Sequence, residues 1–299
     1  MRDTSGTRLQ DGYEALLLDL DGTLYRGSVV IEGGPAELAG GTQRLVYVTN
    51  NASRSAGSVA AHLAEMGYPA AEADVVTSAQ AAVRLLAERV EQGAEVLVVG
   101  TDDLAAEVKA AGLQPVRRAT ESVVAVVQGH SPQTAWPDLA EASYALRAGA
   151  VWVAANTDRT LPNERGLAPG NGAMVAALRA ASDREPVVAG KPYPPLLENA
   201  LDRAGTRAAL VVGDRLDTDI DGAENVAVDS LLVLTGVSTV EELAGLPTHR
   251  WPTYIAGSLA ALNSAPVPGD IDDPAAVRRE LLAQPGRALR VRAPRSEIR

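Results

Sequence analysis

Short apolar runs alternate with alanine-rich amphipathic stretches along most of this chain, and that alternation restricts its fold more than any other feature. The runs are Ala15–Leu18, Leu45–Val48, Val96–Val99, Val123–Val127, Val151–Ala155, Val187–Ala189, Ala209–Val212 and Ser230–Leu234. Between them lie Ser58–Met66, Ala79–Val90, Leu104–Ala111, Trp136–Ala148, Gly172–Ala181 and Pro195–Ala204. Runs this short, closed by Gly, Asp or Thr, read as buried strands, and the longer stretches carry helical periodicity. Strand and helix in alternation predict an α/β chain with largely parallel sheets. Phe is absent and aromatic residues make up 3% of the chain, so its core is built from Ala, Val, Leu and Ile.

A length of 299 residues suffices for two medium domains. The formal net charge of −11 disfavours nucleic acid and anionic membrane surfaces as partners. With no cysteine there is no disulfide, thiolate nucleophile or cysteine-ligated zinc, which suits a reducing cytoplasm. The first fifteen residues are polar and charged, unlike a signal peptide. No apolar stretch approaches the roughly 20 residues of a membrane span.

The first apolar run ends in Asp19-Leu20-Asp21-Gly22-Thr23. Side chains alternate along a strand, so carboxylates two residues apart leave its end on one side. Carboxylates that close repel unless a cation or a shared proton lies between them, which makes the pair a hard-cation site and a nucleophile beside an acid/base group. Alone, D-x-D-G is better explained by a solvated strand-to-turn junction. Three further strand ends change that weighting. Tyr47-Val48 runs into Thr49-Asn50-Asn51, Val187–Ala189 precedes Gly190-Lys191-Pro192, and Val211-Val212-Gly213 runs into Asp214-Arg215-Leu216-Asp217-Thr218-Asp219. Ligands of open parallel sheets bind at the carboxyl ends of strands, which is where all four motifs fall. His62, His130 and His249 are scattered without metal-ligand spacing. The segment from Ala265 onward, with an acidic cluster at Asp270–Asp273, a helical stretch at Pro274–Ala283 and Arg290, Arg292, Arg295 and Arg299, reads as a tail of unknown role.

These four motifs, in this order, resemble those of haloacid-dehalogenase-superfamily phosphatases over about residues 13–262. Asp19 and Thr49 lie 30 positions apart, too few for an inserted domain, whereas Thr49 and Lys191 lie 142 apart, which leaves room for one. The resemblance is therefore to the C2-capped, 4-nitrophenylphosphatase-like branch. It implies a Rossmann-like core, a parallel sheet in three α/β/α layers, with an inserted α/β cap. The expected boundaries are 1–79 and 182–264 for the two parts of the core, 80–181 for the cap and 265–299 for the tail.

Carried over residue by residue, the resemblance implies Asp19 as nucleophile and Asp21 as acid/base. It implies Mg²⁺ held by Asp19, the backbone carbonyl of Asp21 and Asp214, with Asp219 beside it orienting Lys191 or a metal-bound water. Thr49, the Asn50 backbone and Lys191 would meet the phosphoryl group. Gly22, Asn50, Asn156, Asp158 and Leu161 are candidates for phosphate and substrate contact, the last three in a stretch resembling a substrate-specificity loop. Asp217 and Arg159 read as solvated loop charges. Relatives acting on pyridoxal phosphate carry a histidine where this chain has Leu161; an aliphatic residue suits a short carbon chain, which favours glycerol 3-phosphate or 2-phosphoglycolate. Ribonucleotide monophosphates, a broad-specificity phosphatase and a non-catalytic sensor of phosphorylated metabolites are the alternatives. The implied partner is a small phosphorylated metabolite, with homodimerisation through the cap.

Overall fold

The computed structural model describes residues 7–163, 165–268 and 273–295. Residues 1–6, the acidic positions Asp270 and Asp272, and Arg299 lie outside them. The chain divides into two compact units, one of Met1–Val48, Ala60–Val75 and Ala200–Arg299, the other of Thr49–Val59 and Val76–Asn199.

An eight-stranded sheet carries the first unit. Its order is Val267–Pro268, Leu289–Arg290, Tyr254–Ala256, Asp229–Val233, Ala209–Gly213, Ala15–Leu18, Arg44–Thr49 and Val75–Thr77. The pairs from Tyr254–Ala256 through Arg44–Thr49 are parallel, and Leu289–Arg290 runs antiparallel to Tyr254–Ala256. All four residues of Ala15–Leu18 and all five of Ala209–Gly213 are buried. A continuous apolar run rather than an alternating one is what a central strand covered on both faces requires. Each fully buried leucine there contributes on the order of 1.5–3 kcal/mol.

The segment read from sequence as a tail is a built part of this unit. Val267–Pro268 and Leu289–Arg290 extend the sheet edge, and Val277, on the helix Pro274–Ala283, is wholly buried in a cluster with Leu216, Ile220 and Trp251. Asp273 caps that helix by accepting from the backbone of Ala275 and Ala276. At the opposite end of the sheet from Asp19, Asp229 accepts from the Tyr13 hydroxyl (2.9 Å) and the Arg295 backbone (2.8 Å), and burial pushes the Tyr13 phenol well above its ordinary range. Arg292 and Arg295 both reach Glu224 at 2.6 Å.

The second unit holds a five-stranded parallel sheet in the order Val187–Val188, Val151–Ala154, Val123–Gln128, Glu95–Val99, Gln114–Val116. Its core joins Leu97, Val126 and Trp152 of the sheet to Leu146, Val175 and Leu178 of two helices, Trp136–Arg147 and Asn171–Ser182. Helix Ser78–Ala87 opens with a capping box, Thr77 and Gln80 each accepting from the other's backbone at 3.2 Å. Val187–Val188, expected within the second core segment 182–264, pairs instead with Val153 and Ala154 of this sheet. Two valines state that a strand exists but carry no information about which sheet edge receives it.

Candidate active site

In the first unit, parallel register sets the position of each carboxylate. Leu18 stands opposite Val212, and the Asp19 backbone donates to the Val212 carbonyl at 2.9 Å. Asp19 therefore leaves its strand level with Gly213, and Asp214 follows one residue on. Asp214 then opens into Leu216–Ile220, a π-helical turn that brings Asp219 back. The carboxylates of Asp19, Asp214 and Asp219 each bring an oxygen within 4.8 Å of the others. Asp214 and Asp219 are 0% and 1% exposed. Three carboxylates this close repel strongly, and a hard divalent cation is the partner that offsets them. Asp219, expected one step away from the metal, offers an oxygen within the cluster itself, and also accepts from the Arg215 backbone at 3.1 Å.

The loop Thr235–Ser238, which carries no catalytic motif, supports Asp214. Val237 N–H donates to Asp214 Oδ2 at 2.7 Å, Ser238 N–H donates to the Asp214 carbonyl at 3.0 Å, and Ser238 Oγ accepts from Leu216 N–H at 3.1 Å. A Cβ at Gly236 or at Gly22 would lie on the Asp214 carboxylate. Gly22 also has φ +90°, a conformation that only glycine adopts without strain. Its N–H donates to the Tyr25 carbonyl at 2.7 Å and its carbonyl accepts from Thr235 Oγ1 at 2.7 Å. Gly22, expected at the phosphate, is thus committed to shaping the Asp214 cradle. The Thr-Gly pair directly after the apolar run Ser230–Leu234 was the available signal. Arg26 ties the neighbouring hairpin to this loop by donating to the Thr235 carbonyl at 2.7 Å.

Asp21 stands apart from the three-carboxylate cluster. It is exposed, and Oδ1 accepts from Gly27 N–H at 3.3 Å. Thr23, fully buried, donates to Asp19 Oδ2 at 3.4 Å. Asp217, read as a solvated charge, is gripped at both oxygens by Arg215 at 3.0 and 2.8 Å, and those hydrogen bonds hold its carboxyl below the ordinary range.

Thr49, the last residue of the strand Arg44–Thr49 and the first of the second unit, is 8% exposed. Its Oγ1 accepts from Asn51 N–H at 3.1 Å, which leaves the hydroxyl proton to donate elsewhere. Lys191 is 3% exposed, and the Asn50 amide holds it by the backbone, Oδ1 accepting from Lys191 N–H at 2.8 Å and Nδ2 donating to its carbonyl at 3.1 Å. Asn50 Nδ2 also lies 3.4 Å from each Asp158 oxygen. Asn156 is 4% exposed: Nδ2 donates to the Asn50 carbonyl at 2.7 Å and Oδ1 accepts from Asp158 N–H at 3.2 Å. Both amide atoms of Asn156 thus bind backbone and tie its loop to the Asn50 turn. Leu161 lies in the exposed hairpin of Thr160–Asn163 and Gly166–Pro169, 40% exposed. The histidines stay outside both groups of residues. His62 packs edge-on against Tyr25, and His130, whose carbonyl accepts from Ser53, is held below its ordinary pKa by burial.

Two family models match the chain, one described as haloacid dehalogenase-like hydrolase over residues 16–114 and one as HAD-hydrolase-like over 188–262. The chain is 54% identical to the D-glycerol 3-phosphate phosphatase of Mycobacterium tuberculosis, over 86% of its own length and 75% of that protein's. It is 38% identical to the acid sugar phosphatase of Staphylococcus aureus, over 85% of its length and 96% of the relative's. Among solved structures, the glycerol phosphate phosphatase of M. tuberculosis in complex with magnesium aligns with TM-score 0.84 at 54% identity, covering 86% of this chain and 78% of that one.

Proposed function

The chain belongs to the haloacid dehalogenase-like hydrolases and is a phosphatase of that family, and from that premise we propose that it hydrolyses glycerol 3-phosphate with Mg²⁺ through an aspartyl-phosphate. The observation that carries the chemistry is the carboxylate cluster of Asp19, Asp214 and Asp219. Its donors are all oxygen and its backbone cradle leaves no room for a Cβ at Gly22 or Gly236, a set that fits Mg²⁺. Asp19, the backbone carbonyl of Asp21 and Asp214 would hold the ion, with Asp219 at its side. When bound, it supplies Lewis-acid neutralisation of phosphoryl charge.

Asp19 Oδ attacks phosphorus in line, forming an aspartyl-phosphate as the bond to the leaving oxygen breaks. Asp21 gives its proton to that alkoxide, then takes one from the water that hydrolyses the intermediate; inorganic phosphate leaves and Asp19 is restored. The exposure of Asp21 supports this role, because it must exchange protons with solvent. The donor roles toward phosphoryl oxygens fall to the Thr49 hydroxyl and the Asn50 backbone, and the Lys191 charge offsets that of the phosphate. The five-stranded sheet and its helices form the cap, and Asp158 and Leu161 meet the leaving group.

The 54% identity with the D-glycerol 3-phosphate phosphatase supports the substrate, as does the aliphatic Leu161, which suits a three-carbon chain. The kinship with the acid sugar phosphatase favours a second reading, a phosphatase of broad specificity. The absence of cysteine agrees with a cytoplasmic setting, and among the described residues no helix is long and apolar enough to cross a membrane. The test is phosphate release with Mg²⁺ and with EDTA across glycerol 3-phosphate, 2-phosphoglycolate, pyridoxal phosphate, a sugar phosphate, nucleoside monophosphates and 4-nitrophenyl phosphate. Selective Mg²⁺-dependent turnover of glycerol 3-phosphate is expected. Equal slow rates on all of them would support the broad reading, and no release at all would point to a phosphometabolite sensor.

A further inference from the structure

Several segments of the second unit meet through asparagine side chains. Asn50 grips both backbone atoms of Lys191 and lies at 3.4 Å from Asp158; Asn156 grips the carbonyl of Asn50 and the N–H of Asp158. The third member is Asn171, at the start of the helix Asn171–Ser182 and 1% exposed, whose Nδ2 donates to the Asn156 carbonyl at 2.7 Å. Two glycines complete the arrangement. Gly172 N–H donates to the Asp158 carbonyl at 2.9 Å and Gly170 N–H to that of Arg159 at 3.0 Å, and a Cβ on either would strike the backbone of residues 157–158. Ser78 Oγ donates to the same Asn50 carbonyl at 2.5 Å.

We propose that Asn156 and Asn171 are positioning residues that lock the loop 156–161 to the Thr49–Asn50 turn, so that selectivity among leaving groups depends on side chains touching neither phosphate nor leaving group. The proposal rests on the reading above that Asp158 and Leu161 meet the leaving group. Asn50 follows Thr49 directly, so an error in the seat of residue 156 is an error in the distance between the phosphate end and the leaving-group end of the substrate. Neutral amides suit this task because they fix distance without adding charge beside a phosphate. Asn171 Oδ1 is buried with no hydrogen-bond partner among the described residues. Such an orphan costs stability, and the grip on Asn156 is what the side chain returns for it.

That orphan supplies the test. Asn171→Leu removes both the grip and the orphaned oxygen with the same number of side-chain heavy atoms; it also adds volume and takes a donor from the Asn156 carbonyl, so native circular dichroism and a cooperative melt are required of it before its kinetics are read. For each variant, kcat/KM is measured on the phosphate ester that the wild type turns over fastest and on 4-nitrophenyl phosphate. Asn156→Ala should lower the ratio of the two about tenfold or more and Asn171→Leu severalfold, an error of positioning being felt most by the substrate that must fit. Hydrogen exchange of the amides at 157–172 should speed up at least tenfold in both variants, with those of Val123–Gln128 unchanged. This second readout needs no substrate, so it stands even if the glycerol 3-phosphate reading fails on the wild type. An unchanged ratio with unchanged exchange would overturn the proposal. So would a rise in KM confined to Asn156→Ala with Asn171→Leu silent, which would make Asn156 a direct substrate contact.

Discussion

The two units of this chain hold their functional side chains by opposite physical means. In the first, three carboxylates crowd within 4.8 Å and repel, so the arrangement is held against its own electrostatics by glycines and backbone N–H groups. In the second, the amides of Asn50, Asn156 and Asn171 grip the backbone of Lys191, Asn50 and Asn156 in turn, so the arrangement is held by hydrogen bonds of neutral groups. The difference teaches where ligand dependence should appear. The carboxylate region gains stability from a cation, whereas the amide region gains none and instead supplies preorganised geometry.

The comparison breaks most sharply at Asp19. Asp19→Asn keeps the size and removes the nucleophilic charge, so turnover should fall by roughly 10⁴-fold or more while the circular dichroism stays native. Residual activity within tenfold of wild type would remove Asp19 from its role. Next comes Asp214→Asn, which should weaken Mg²⁺ binding by about 10–100-fold and, in EDTA, leave the protein at least as stable as wild type because one repelling charge is gone. Calorimetric Mg²⁺ titration and thermal melts in EDTA read the two effects. A clear loss of stability in EDTA would mean that the cluster is not strained by its charges.

A glycine in each unit sharpens the contrast. Gly236→Ala pushes a methyl into the Asp214 carboxylate and should raise the Mg²⁺ concentration needed for half-maximal activity. Gly172→Ala pushes one into the Thr157 carbonyl and should leave the Mg²⁺ requirement alone while degrading selectivity among phosphate esters. Each overpacking should cost on the order of 1–3 kcal/mol. The smallest effect belongs to Glu224. Burial alone would raise its carboxyl, but the hydrogen bonds and charges of Arg295 and Arg292 outweigh it and hold the group below the ordinary range. A depressed folded-state value means that its stabilisation is present above the ordinary carboxylate range and is lost as pH falls through the lower folded value. Glu224→Gln should therefore melt a few degrees below wild type at pH 7, a difference of less than about 1 kcal/mol for a part-exposed pair, and the gap should close in acid.

Most of this was legible wherever one apolar run carried one meaning. The eight runs named from sequence all appear as strands, and the motifs at Asp19 and Asp214 meet because parallel neighbours share register. Val187–Val188 shows the limit, since a two-residue strand does not encode its sheet. The segment after Ala265 shows another, because Val277 is wholly buried by long-range packing that its polar, Pro-rich flanks conceal. In a motif Gly22 and Asn156 read as ligand contacts; in the fold their polar atoms also hold Tyr25, Thr235, Asn50 and Asp158. Which of a side chain's bonds are already made is a property of the fold.

The most direct test of the central claim is phosphate release from glycerol 3-phosphate as Mg²⁺ is returned to metal-stripped protein, for wild type and Asp214→Asn side by side. Saturable activation of the wild type, with the variant silent at the same concentrations, is the predicted result. Turnover that is the same with and without the metal, or a variant that activates like the wild type, would contradict it.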